Sequence, residues 1–142
     1  MAGTKIADEL VAAYRDTEFL VGPPDVGFIL RVGRRSDEIA SLLRSADGNG
    51  ATFITAENPF SQTLTAQENA INQAHLRTDL IDLGATVLEG QGQGQDKMWP
   101  PESSFLAIGL THQQACDLGT KYQQNAIVWI GLDLIPELVL LN

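Results

Sequence analysis

The stretch "ATFITAENPFSQTLTAQENA", residues 51–70, contains the signals that decide the fold. It begins with a β-rich apolar run, residues 51–56, and continues into a polar loop, residues 57–64. Thr65 and Glu68 then form a capping box, in which a hydroxyl and a carboxylate three residues later satisfy free backbone N–H groups at a helix N-terminus. The stretch therefore predicts a strand, a loop and a long helix that runs to about Gly84.

The chain beyond this helix supplies two strands, a helix and a further strand. "TVLEG" (86–90) and "SSFLAIGL" (103–110) are typical of strands, and a second capping box at Thr111 and Gln114 begins a helix. "NAIVWI" (125–130) is apolar on both faces, as in a strand inside a sheet, so we predict that Ile127 to Ile130 lie in a central strand. Residues 51–131 thus follow the order βαββαβ, the split βαβ pattern of ferredoxin-like folds.

The flanking segments complete one domain over residues 1–142. Residues 1–35 predict a helix and a hairpin that turns at "GPPD", Ser36 begins another helix, and residues 137–141 predict a closing strand. The expected fold class is α+β, with a mixed β-sheet of about six to seven strands and helices packed on it. The extra hairpin and helix should extend the sheet or cover its second face.

The composition argues against several classes of function. The chain has 142 residues, 44% of them hydrophobic, and a formal charge of −9, which disfavours binding to nucleic acids and to anionic membranes. No apolar run reaches the roughly 18–20 residues of a membrane span. With one cysteine, Cys116, and no signal-peptide pattern, we expect a cytoplasmic protein. The oligomeric state stays open.

The stretch "GQGQGQDKMWPPESS", residues 90–104, is the most unusual in composition. It lies between two predicted strands and lacks the lysine of a phosphate-binding loop, so we expect a mobile hairpin loop instead. Trp99 and the two prolines after it stiffen the chain before Glu102 and Ser103. The tryptophan either covers the edge of the core or belongs to a lid over a site.

Polar residues in apolar surroundings are the candidates for a site. Asn69 shares a helix face with three leucines, so its amide should be buried and hydrogen-bonded to the loop of residues 55–59, which contains Asn58. Gln124 and Asn125 directly precede the buried strand. We predict that Asn58, Asn69, Glu102 and Gln124 converge at one end of the sheet. These groups either brace the loops or bind a ligand.

Metal and thiol chemistry lack support in the sequence. His75 and His112 have no partners at metal-ligand spacing, and we expect no metal and no cofactor. His112 and Cys116 are four residues apart on one predicted helix, but a small thiol packed at the core is the preferred interpretation of the cysteine.

Several short motifs, in their order along the chain, resemble a family catalogued as domain of unknown function 3293. They are "AY" with Thr17, Gly33 and Ser36, "ITA" with Asn58-Pro59, Asn69, Trp99-Pro100 with Glu102 and Ser103, and "QNA" at 124–126. The resemblance implies a bacterial or phage-like origin and brings no established activity. Glu57 stands where the family pattern commonly has an aromatic residue.

Two functional hypotheses follow. The first is a binding module for a polar small molecule or a protein partner, with ligand-binding residues Asn58, Asn69, Trp99, Glu102, Gln124 and Asn125. The second is a small enzyme in which Glu102 acts as acid–base, with Ser103 or Ser104 nearby, under a lid formed by the Gly-Gln loop. The sequence shows no nucleophile–base pair and no metal cluster, which favours binding over catalysis.

Overall fold

A computed structural model describes residues 8–23, 25–94 and 101–141 of the chain. In chain order, these residues form α1 (Asp8–Arg15), β1 (Glu18–Val21), β2 (Phe28–Leu30), α2 (Asp37–Ala46), β3 (Ala51–Ile54), a 3₁₀ turn (Pro59–Ser61), α3 (Ala66–Asp82), β4 (Thr86–Gln93), β5 (Glu102–Ile108), α4 (His112–Lys121), β6 (Ala126–Ile130) and β7 (Glu137–Leu140). The fold is a single α+β domain, as the sequence predicts.

One seven-stranded sheet joins all the described strands in the order β2-β1-β4-β5-β3-β6-β7. Every pairing is antiparallel, so the expectation of a mixed sheet is corrected in this respect. The reason lies in the split βαβ core, which residues 51–131 form as predicted. β3 and β4 run in the same direction, but β5 lies between them, so these two parallel strands are never neighbours.

Both faces of the sheet centre are buried. α2 packs on one face and α3 and α4 pack on the other, each over its own apolar cluster. Within β5, Leu106 and Ile108 belong to the cluster under α2, whereas Phe105 and Ala107 belong to the cluster under α3 and α4. Successive residues of a strand point to opposite faces, so a strand covered on both faces is apolar throughout.

The strand of Ile127 to Ile130 is interior, as predicted, but it lies second from the edge of the sheet, and the central strand is β5. β6 pairs with β3 on one side and β7 on the other. Ile127, Val128 and Ile130 are each at most 3% exposed. The N-terminal hairpin, β1 and β2, extends the sheet through β1 and β4, and α2 covers the second face.

Both capping boxes are also confirmed. The Thr65 hydroxyl accepts from the Glu68 N–H at 3.1 Å, and the Glu68 carboxylate accepts from the Thr65 N–H at 3.2 Å. Thr111 and Gln114 make the equivalent pair at the start of α4, at 3.0 and 2.9 Å. These bonds satisfy N–H groups that a helix N-terminus leaves free, which fixes where α3 and α4 begin.

The first half of the Gly-Gln run is a strand rather than the expected loop. Residues 90–93 continue β4; residues 90–92 pair with both β1 and β5, and Gln93 pairs with β1. Gly90 has a steric role here, because a Cβ at this position would lie 2.5 Å from the Leu20 carbonyl oxygen and 2.8 Å from the Phe53 ring. Because Gly90 has no side chain, the Phe53 ring can pack against its backbone. There it meets the Phe19 ring edge to face, with 5.1 Å between the ring centroids.

None of the described helices has the length and apolar content of a membrane span.

Candidate functional site

Four segments meet at one end of the sheet, where β3 ends and where β5 and β6 begin. The loop after β3 and the first turns of α3 lie beside the start of β5 and the turn before β6. The amide–carboxyl cluster at this end comprises Asn58, Asn69, Glu102, Gln124 and Asn125. The sequence predicts the convergence of Asn58, Asn69, Glu102 and Gln124, and the hydrogen bonds described below show it; Asn125 is an additional member.

Asn58 and Asn69 form the centre of the cluster. Asn69 is 8% exposed, and its amide oxygen accepts from the Asn58 backbone N–H at 2.9 Å. Its amide nitrogen donates to the Asn58 side-chain oxygen, also at 2.9 Å, and that oxygen accepts from the Leu64 N–H at 3.0 Å. The predicted contact between Asn69 and the loop of residues 55–59 is thus present. The bond pattern matches the loop-bracing interpretation of Asn69.

Gln73, one turn further along α3, braces the same loop from below. Its amide oxygen accepts from the Ala56 N–H at 2.6 Å, and its nitrogen donates to the Ser103 carbonyl at 2.8 Å. The Thr55 hydroxyl donates to the same carbonyl at 2.7 Å. The backbone pairing of β3 with β5 ends at Ile54. Beyond it, these side-chain bonds satisfy the buried polar groups of the loop as the chain leaves the sheet.

Glu102 is the carboxyl that faces this loop. Its Oε2 accepts from the Asn58 side-chain amide at 3.0 Å. Burial raises the pKa of Glu102, and the hydrogen bond from Asn58 offsets part of that rise. Burial also raises the pKa of Glu57, and the negative charge of Glu102 raises it further. Two carboxyls thus lie near each other in partly desolvated surroundings, where both are easier to protonate than in water.

Gln124 and Asn125 join the cluster from the turn before β6. Gln124 is 8% exposed and donates to the Glu57 carbonyl at 3.0 Å. Asn125 donates to the Ser61 hydroxyl at 3.0 Å. The two residues therefore connect the start of β6 to the loop after β3, a link between segments more than sixty residues apart.

Tyr14 and Ser61 are members of this region that the sequence analysis did not identify. The Tyr14 hydroxyl lies 3.4 Å from the Ser61 hydroxyl. Burial raises the pKa of Tyr14, and the negative charge of Glu102 adds a smaller rise. Tyr14 lies on the apolar face of α1, so the sequence offers only its amphipathic position and no sign of its polar partners.

The remaining candidates are separate from the cluster. The Ser103 side chain is exposed, and its neighbours along β5 place it on the opposite sheet face from Glu102. Only the backbone of Ser103 contributes to the cluster. Ser104, on the same sheet face as Glu102, donates from its hydroxyl to the Glu102 backbone carbonyl at 3.2 Å. Trp99 and its proposed lid lie outside the described residues. The Cys116 sulfur lies 3.7 Å from His112 Nδ1, but burial raises the pKa of the thiol, which disfavours the reactive thiolate.

Unusual backbone conformations concentrate around the cluster. Six described non-glycine residues have positive φ, and four of them, Asn58, Phe60, Ser61 and Gln123, lie in the two loops that meet here. The Phe60 N–H donates to the Gln123 carbonyl at 2.6 Å, which ties the two strained segments together. Left-handed conformations cost free energy for residues with a Cβ, and they accumulate at ligand sites and switches.

The described residues contain no group of three or more His, Cys, Asp or Glu side chains that could hold a metal ion.

No curated protein and no solved structure matches the chain. A family described as "Protein of unknown function (DUF3293)" matches residues 54–127, a range that contains the whole amide–carboxyl cluster and more than half of the chain. The chain therefore belongs to the DUF3293 family.

Proposed function

We propose that this chain is a binding module for a polar small molecule, which binds at the amide–carboxyl cluster through Glu102. The observation that carries the proposal is the unused hydrogen-bonding capacity of this carboxyl. Among the described residues it accepts one side-chain bond, from Asn58, although a carboxylate offers about four acceptor positions. None of the buried side-chain oxygen and nitrogen atoms in the described part of the chain lacks a partner, so an oxygen of Glu102 that makes no hydrogen bond is in contact with solvent.

The surroundings of Glu102 are rigid in the way that recognition requires. Asn58, its donor, is itself fixed by Asn69 and Leu64. A carboxyl held in place before the ligand arrives loses little conformational entropy on binding, which raises the affinity available from a few hydrogen bonds. A structural role in holding the loop explains why the amides are buried. It does not explain the left-handed backbone of the same loop, which lowers stability and is common at ligand sites.

The charge of the cluster restricts the ligand. Glu57 and Glu102 are both acidic, and residues 51–142 hold three Lys or Arg against ten Asp or Glu. An anionic ligand would be repelled on approach and in the site. The expected ligand is therefore neutral or cationic and carries N–H or O–H donors for the Glu102 carboxyl.

A thermal-shift screen against nucleosides, sugars and amino acids tests the proposal, because a ligand that binds only the folded state raises the melting temperature. A binding compound should lose its shift with Glu102→Gln, since glutamine accepts more weakly than a carboxylate and brings its own donors. Glu137→Gln, the same change on the exposed edge strand β7, should keep the shift. Equal shifts in the two variants would place the binding site elsewhere.

Catalysis is the second candidate function, and the raised pKa of Glu102 is the observation that favours it. A carboxyl that holds its proton to higher pH is suited to general-acid chemistry. The test is to incubate each binding compound with the protein and to follow it by NMR. If the wild type converts a compound and Glu102→Gln does not, the protein is an enzyme. If the wild type leaves every compound unchanged, only the binding function is supported.

A further inference from the structure

We infer that Phe60 is the apolar contact of the ligand, and that the ligand presents a flat ring beside its hydrogen-bond donors. The inference rests on the proposed function above and names the class of molecule: an uncharged or cationic heteroaromatic compound, such as a nucleoside without phosphate.

Phe60 stands in a position that stability alone does not explain. Its side chain is 47% exposed, although transfer of an aromatic ring out of water is among the largest favourable contributions to folding. Its backbone has φ 52° and ψ 31°, in the left-handed region. A Cβ is disfavoured in that conformation, whereas glycine adopts it freely. The residue thus carries two unfavourable features at once.

The backbone of Phe60 is nevertheless held firmly. Its N–H donates to the Gln123 carbonyl, and the Ser61 N–H donates to the Asn58 carbonyl at 2.8 Å. Asn58 and Ser61, on either side, both bond members of the amide–carboxyl cluster. The backbone that carries this half-exposed ring is therefore fixed between Asn58 and Ser61, two residues whose side chains bond the cluster.

The chemistry of the two contacts defines the ligand. An aromatic ring stacks on flat rings and interacts favourably with cations, and Glu102 accepts N–H or O–H donors. Stacking on a protein aromatic ring is worth roughly a five-fold to hundred-fold change in affinity by alanine substitution. A heterocycle with an amino group offers both contacts, whereas a phosphate would meet the negative charge of Glu57 and Glu102.

Adenosine serves as the probe. Ribose, which lacks the heteroaromatic ring, tests the need for that ring in the ligand, and adenosine 5′-phosphate tests the effect of a negative charge on the ligand. Binding is measured by calorimetry on wild type, Phe60→Tyr, Phe60→Ala and Phe60→Gly. We expect wild type and Phe60→Tyr to bind adenosine, and Phe60→Ala and Phe60→Gly to bind it at least about five-fold more weakly. Ribose and the phosphate should bind more weakly than adenosine to the wild type.

Thermal unfolding of the same variants separates a ligand contact from a structural role. Phe60→Gly should melt above Phe60→Ala, because it relieves the left-handed strain, and within roughly 2–4 °C of wild type. Asp47→Gly is the matched control: it changes a left-handed residue at the end of α2, at φ 53°, and should leave adenosine binding intact.

Each failure has its own meaning. Adenosine binding that is equal in wild type, Phe60→Ala and Phe60→Gly overturns the inference but leaves the proposed function standing. A large loss of melting temperature in Phe60→Gly overturns it too, because the ring would then be part of the core. If adenosine does not bind the wild type, the inference is wrong, whereas the proposed function fails only if every other compound in the screen also fails to bind.

Discussion

Asn69→Ala is the most direct test of how the amide–carboxyl cluster is held together. The substitution removes the acceptor of the Asn58 N–H and the donor to the Asn58 side-chain oxygen, two bonds of 2.9 Å each. The side-chain oxygen keeps the Leu64 N–H as a partner, whereas the backbone N–H loses its only described one. A buried polar group left without a partner costs about 1–3 kcal/mol, which is the expected loss in the free energy of unfolding.

Urea denaturation measures this loss. With a typical slope of about 2 kcal/mol per molar, the midpoint should fall by roughly 0.5–1.5 M. Asn72→Ala is the matched control, because it makes the same chemical change on the same helix, at a side chain that forms no hydrogen bond within the described part of the chain. A midpoint for Asn69→Ala that equals the wild type, or that falls no further than Asn72→Ala, would refute the bracing role.

Asn69→Asp refines the test. Aspartate can still accept from the Asn58 N–H. Its second oxygen, however, would replace the Asn69 amide nitrogen that donates to the Asn58 side-chain oxygen, so two oxygens would face each other. It also adds a carboxylate to a region in which Glu57 and Glu102 already have raised pKa values. We expect Asn69→Asp to be at least as destabilising as Asn69→Ala near neutral pH. A milder effect would mean that the Asn58 amide rotates to donate to the new carboxylate.

Two further substitutions test the surroundings of the cluster. Because the pKa of Glu102 is raised in the folded state, its contribution to stability is present below the unfolded value of about 4.5 and is lost as the pH rises through the folded value. Glu102→Gln keeps an acceptor for Asn58 and should therefore be more stable than wild type at pH 7, with a gap that closes toward pH 4; a gap that is constant with pH would contradict this. Gly90→Ala should lower the free energy of unfolding by about 1–3 kcal/mol, because its Cβ would clash with the Leu20 carbonyl oxygen and with the Phe53 ring. Gly92→Ala, whose Cβ would meet nothing closer than 3.8 Å, should be nearly neutral, and equal urea midpoints for the two alanine variants would disprove the steric role.

Local signals in the sequence were enough to predict most of the elements. The capping boxes at Thr65 and Thr111 mark helix starts because their hydrogen bonds form within four residues. The apolar run 125–130 indicates an interior strand because a strand covered on both faces has no polar side. Asn69 could be predicted as buried because its direction on the helix wheel depends only on the period of the helix.

The Gly-Gln run shows where composition misled the prediction. Its glycines and glutamines suggested a loop, yet their alternation has the two-residue period of a strand. Which interpretation holds depends on Phe53, more than thirty residues away, whose ring needs the space that Gly90 leaves open. A steric requirement between distant strands leaves no local sign in either segment.

The amino-acid sequence by itself determined the periodicity, the helix starts and the polar residues that need partners. Only the tertiary structure decided which partners they have. Tyr14 and Ser61 meet across 47 residues, and Gln124 reaches the Glu57 carbonyl across 67. The left-handed backbone of Phe60 is likewise set by its bond to Gln123, since a phenylalanine has no intrinsic preference for that conformation. Helix and strand signals act over a few residues, whereas a site is assembled by chain segments that only folding brings together.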